Sequence, residues 1–127
     1  MSFFDSSFVC VECDSGTALV KQHWKVNAAS MEFREGMTRT IQAIKDHQGS
    51  ALLMDATQLG ALSEDDQQWT AQEWLPQAKE GGCQKVAAIV SDDVFNKMSV
   101  EDAFEQFEGV ETAVFEHPDE ALNWACG

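Results

Sequence analysis

Basic residues are scarce in this chain. Six Lys and two Arg are scattered among 22 Asp and Glu, leaving a formal net charge of −14 over 127 residues. Such a field repels a phosphate backbone or an anionic bilayer, and no basic cluster exists to overcome it, so nucleic acid is not an expected partner. Long apolar runs are missing too. Nowhere do about 18 apolar residues follow one another, so no membrane insertion is expected. The start, MSFFDSSFVC, lacks the basic region and apolar core of a leader, and a soluble, cytoplasmic protein is the expectation. The strong catalytic signatures are also absent: no Walker loop, no dinucleotide fingerprint after a strand, no nucleophile elbow and no HExxH. Neither an enzyme nor a cofactor is expected.

The acidity that remains has three readings: solubility, adaptation to a salty cytoplasm where screening removes self-repulsion, or a basic protein partner. Four cysteines, Cys10, Cys13, Cys83 and Cys126, raise the question of a metal or a disulfide. Cys10 and Cys13 have the CxxC spacing, but they lie in an alternating stretch, and residues three apart on a strand point to opposite faces. No metal site is expected, and the thiols read as reduced. Cys83 follows Gly81-Gly82 without an identifiable His to activate it as a nucleophile.

Ala51 to Trp74 organises the rest. Ala51-Leu52-Leu53-Met54 is a continuous apolar run bounded by Gly49 and Asp55, suited to a strand covered on both faces. Ser63 then precedes Glu64, Asp65 and Asp66, a helix start in which Ser63 caps free amides and the acids oppose the helix dipole. The intervening loop opens at a strand's carboxyl end, where open α/β sheets place their sites. Asp55 is the best candidate for a functional carboxylate. Its plainer role is to bond the backbone of the turn that follows.

Before this stretch, Ser6 to Cys13 and Thr17 to Trp24 read as two strands of a hairpin, with Gly16 taking a positive φ. His23 falls on the polar face of the second. Asn27 or Ser30 is expected to cap an amphipathic helix bearing Phe33, Met37, Ile41 and Ile44, with Met31 also in the core and Gly49 in the left-handed position after it. After it, the helix from about Glu64 to Lys79 should break near Trp74 and Leu75, ahead of Pro76. Trp69 and Trp74 are five apart and so should not share one stripe. Lys85 to Val90 is a second buried strand, and Val94 to Met98 is a helical turn or a flap. Ser99 is expected to cap a third helix, Thr112 to Phe115 to be a strand, and Pro118 to open a last helix, with His117 just before it.

The order is β-β-α-β-α-β-α-β-α, an α/β fold with a mixed sheet of four to five strands in one domain spanning residues 1–127. That order, with LLMDATQLGALSEDDQQW, WLPQAKEGG, KVAAIVSDDVFNKMS and FEHPDEALNWA, resembles the small bacterial SpoIIAA-like proteins, related to STAS and SEC14-type domains. The resemblance implies a non-enzymatic role: phosphorylation-controlled partner binding for STAS domains, or holding an apolar molecule for SEC14-type domains. Where anti-sigma factor antagonists of this group carry a phosphorylatable Ser in an Asp-Ser-Ser-Gly-like turn, this chain reads Leu62-Ser63-Glu64-Asp65. A phosphate there meets three carboxylates and no Arg, so the switch is not carried over. Two functions follow: a regulatory protein-interaction module, with a protein partner or a homodimer, or a carrier of a small apolar, lipid-like ligand. The candidate binding residues are Asp55, Gln58, Ser63, Glu64, Trp24, Trp74, Phe95 and Met98. In the first reading they form a face around the Asp55 to Asp66 loop and Val94 to Met98. In the second, Trp24, Trp74, Phe95 and Met98 line a groove.

Overall fold

The apolar run Ala51–Asp55 (β4) lies inside a sheet, paired on both sides, as its two-sided hydrophobicity requires. The computed structural model describes residues 2–14 and 16–127. Six strands follow one another across the sheet in chain order: Ser2–Asp5 (β1), Val9–Cys13 (β2), Leu19–Trp24 (β3), β4, Lys85–Ile89 (β5) and Glu111–Phe115 (β6). The pairs β1–β2 and β2–β3 are antiparallel, and β3 to β6 run parallel. The mixed α/β sheet is as expected, but it has six strands and not four to five. The extra strand is Ser2–Asp5, ahead of Ser6 where none was expected, and the expected run Ser6–Cys13 is extended only over Val9–Cys13. Ser6 Oγ accepts from the Phe8 and Val9 amides, at 3.3 and 3.2 Å, and this turn folds β1 back onto β2. Between β2 and β3, Gly16 has the expected positive φ of 87°, while Ser15 of that turn lies outside the described residues.

The helical segments are Ser30–His47 (α1), Glu64–Trp69 (α2), a π turn at Thr70–Trp74, Leu75–Glu80 (α3), Val94–Glu105 (α4) and Pro118–Cys126 (α5). The segments from α1 to α4 cover one face of the sheet, where Trp24, Phe33, Met37, Leu52, Trp74 and Val86 form the main core. α5 packs on β4, β5 and β6 from the other side, closing a smaller core around Leu53, Ala87, Ile89 and Ala121. Cys10, Glu12, Lys21 and His23 of β2 and β3 share that second face and stay wholly or partly exposed.

Polar groups inside the main core are paired in a chain. The Trp24 indole N–H donates to Gln22 Oε1, Gln22 Nε2 donates to Thr40 Oγ1, and Thr40 Oγ1 donates to the Gly36 carbonyl, at 2.7, 2.7 and 2.8 Å. This explains why a glutamine occupies an otherwise apolar strand face. Gly36 is required by the same packing, since a Cβ there would come within 2.6 Å of the Trp24 ring.

Several local expectations are corrected. The α1 N-cap is Ala29, not Asn27 or Ser30: Glu32 reaches back to accept from the Ala29 amide, and Ser30 Oγ donates instead to Asp66. Gln48, not Gly49, takes the left-handed position, and Gly49 is needed because a Cβ would meet Val20 at 2.8 Å. Met31 is 86% exposed and outside the core, since it lies about 200° around α1 from the buried Phe33 and shares the solvent face with Glu35 and Thr38. Ser99 caps nothing. Asp93 caps α4 by accepting from the Phe95 amide, so Val94 to Met98 belongs to the same helix. Trp69 and Trp74 both pack on the main core, because the π turn, closed from the Leu75 amide to the Thr70 carbonyl, brings positions five apart toward one side.

Candidate functional site

Asp55 closes β4 and does two things at once. One carboxylate oxygen accepts from the Thr57 amide and hydroxyl, at 3.1 and 2.7 Å, and so shapes the turn. The other lies 3.1 Å from His23 Nδ1, on the neighbouring strand at the same register. Cys10 is the direct partner of His23 on β2, so Cys10, His23 and Asp55 form a row across three strands on the second sheet face. They line a shallow depression of about 190 Å³ with Glu12, Lys21, Leu53 and Ile89. The row has the residue types of a thiol triad but not its electrostatics. Burial first, then Asp5 and Glu12, push the Cys10 thiol up, and its Sγ–H donates toward Glu12 at 3.7 Å, the reverse of what a nucleophile needs.

The loop from Ala56 to Ser63 is held to the first turns of α4. Asn96, 1% exposed, donates from Nδ2 to the Ala56 and Gly60 carbonyls at 3.0 and 2.7 Å, and its Oδ1 accepts from the Ser91 amide at 3.0 Å. Ser99 Oγ accepts from the Leu62 amide at 3.0 Å. The loop after β4 and the start of α4 are therefore one surface at the carboxyl end of the parallel strands. Onto it α4 projects Val94, Phe95 and Met98, which are 57, 70 and 52% exposed. Asp92, Asp93 and Glu101 are exposed beside them in the chain, and Glu64 and Asp65 at the start of α2. Helices α2 and α4 are packed against each other.

The candidate residues from sequence divide clearly. Asp55, Gln58, Ser63 and Glu64 belong to the loop and the helix start it feeds, with Ser63 Oγ accepting from the Asp66 amide as an N-cap at 3.1 Å. Phe95 and Met98 lie on the adjoining α4. Trp24 and Trp74 do not join them: both are 0% exposed, and the Trp74 indole N–H is spent on the Met37 carbonyl at 2.7 Å. They line no groove with Phe95 and Met98. Asn96 and Ser99 were not anticipated, since their partners lie 36 to 40 residues away in sequence. The His23–Asp55 pair was missed for the same reason.

Cys83 is 3% exposed, and burial pushes its thiol up to about 11. That is no nucleophile. Among the described residues no helix is long and apolar enough to cross a membrane, and no group of three or more His, Cys, Asp or Glu could hold a metal ion. Comparison with family models, curated proteins and solved structures returned no match. Fold and surface together define an α/β domain with a braced, apolar-centred, acid-rimmed face at the carboxyl end of its parallel strands.

Proposed function

We propose that the chain is a non-enzymatic regulatory or protein-interaction module of the STAS/SpoIIAA-like type, which docks a protein partner on the face made by the loop after β4 and the start of α4. One observation carries this reading: three large apolar side chains, Val94, Phe95 and Met98, are exposed together on a helix start fixed by Asn96 and Ser99. A contiguous exposed apolar patch on a rigid support is costly unless something covers it. The rim of Asp92, Asp93, Glu101, Glu64 and Asp65 selects a partner with an apolar centre and basic surroundings. A second copy of this chain, itself at −14, brings acids against acids and is disfavoured. The STAS-like part of the reading is supported by the element order that follows β1. The carrier reading has less support, since Trp24 and Trp74 fill the core.

The test is capture from the native host's lysate by the immobilised wild type and by a Val94→Ser/Phe95→Ser double variant. The wild type is expected to retain a partner that cross-links to the loop or α4 and is released by molar salt. The variant, with unchanged melting temperature, should not retain it. Retention of the same proteins by both overturns the docking face. A native mass spectrum showing a small molecule lost on denaturation favours the carrier instead.

A further inference from the structure

β6 is an end strand: it pairs with β5 on one side, and among the described residues no strand lies on the other. Its ladder orientation is readable. The Glu111 amide donates to the Gln84 carbonyl at 2.9 Å and the Phe115 carbonyl accepts from the Val90 amide at 2.8 Å, so the odd-numbered residues turn toward β5. Thr112 and Val114 therefore aim their N–H and C=O groups at the open edge. Beside that edge runs a trough of about 600 Å³, walled by β6 (Thr112, Ala113, Val114) and by Met98, Phe104 and the acids Glu101, Asp102 and Glu105 of α4.

From this we infer that the trough takes an extended peptide segment of a protein partner, with Lys or Arg at alternate positions, added as a seventh strand on β6. The inference rests on the partner-binding reading and names the chemistry of the partner. Backbone groups of Thr112 and Val114 supply the ladder, as in other strand-addition complexes. Alternate side chains of the added strand fall on the α4 side. There an aliphatic stem lies along Met98 and Phe104 while its cationic end reaches Glu101, Asp102 or Glu105, a division that suits Lys and Arg and no acidic or short residue. The five residues of β6 match a segment of about five residues. Lys97 does not block the trough's charge, being engaged by Glu116 at 3.4 Å.

The probe is a fluorescein-labelled, end-capped peptide of alternating Lys and Val, six residues long, titrated with the full chain at low salt. Two further peptides carry N-methyl groups on one or the other alternate set of amides. An added strand turns only one set toward β6, so one methylated peptide should lose at least tenfold in affinity and the other stay within twofold. Glu101→Gln with Glu105→Gln, both at exposed positions, should weaken the parent peptide about tenfold. Absence of parent binding, or equal effects of the two methylations, overturns strand addition. Equal methylation effects together with loss of binding in Val94→Ser/Phe95→Ser would leave the docking face standing without it. A chain that sediments as a dimer which the peptide cannot dissociate would assign the edge to a second copy and overturn the proposal.

Discussion

Burial raises the Cys83 thiol from 9.0 to about 11, and this couples the residue to the pH dependence of folding. In the unfolded chain the thiol ionises near 9; in the folded chain it stays protonated until about 11, so the folded state binds more protons in between. Its contribution is complete below pH 9 and is lost as pH rises toward 11. Two units correspond to about 3 kcal/mol at most. Urea denaturation at pH 8.5 and 11 should show wild type losing more stability than Cys83→Ala over that interval. Equal losses would show that Cys83 is not the buried thiol described. At this scale the sequence was informative where a residue acts on its own neighbours: Ser63 as a cap and Asp55 as a turn former were both legible. It was uninformative where the partner is distant, as for Asp55 with His23, or Trp74 with the Met37 carbonyl.

Elements were legible by pattern, and their junctions less so. Continuous apolar runs identified β4 and β5, and the acid-rich start identified α2. The single helix α4 was divided in two because Ser99 with Asp102 mimics a capping box, whereas Asp93 is the cap and Ser99 Oγ serves the Leu62 amide. The π turn could not be seen from a 3.6-residue period, and it reversed the expectation for Trp69 and Trp74. The brace between the β4–β5 loop and α4 makes its own prediction. Asn96→Asp sets a carboxylate against the Ala56 and Gly60 carbonyls, and should cost on the order of 3 kcal/mol at pH 7. Burial and those carbonyls raise the new carboxyl's pKa, so the deficit should shrink as pH falls toward 5. A deficit in urea midpoint that is the same at both pH values would argue against this geometry. Amide exchange at Leu62 should quicken in the same variant, because the loop loses its ties at Ala56 and Gly60, while the Ser91 amide keeps an acceptor oxygen.

The whole molecule carries −14 on an α/β fold, and most of that charge lies on its surface. Self-repulsion destabilises the folded state until salt screens it, with a Debye length of about 10 Å at 0.1 M and about 3 Å at 1 M. If the acidity is an adaptation to salt, the melting temperature should rise by on the order of 5 °C between low and molar potassium chloride. A flat profile would leave solubility or partner selection to account for the charge. The same salt should weaken the lysine-bearing peptide on β6, so stability and binding respond in opposite directions.

Composition and apolar period by themselves determined the α/β class, the buried middle strands, the helix after Ser63 and the acidic surface, because each depends on residues near one another in the chain. Only the tertiary structure decided the burial of Trp24 and Trp74, the brace through Asn96 and the open edge at β6. These depend on pairs brought together from across the chain, where one hydrogen bond or one ring contact outweighs local preference. The sequence carries no periodic sign of such pairs.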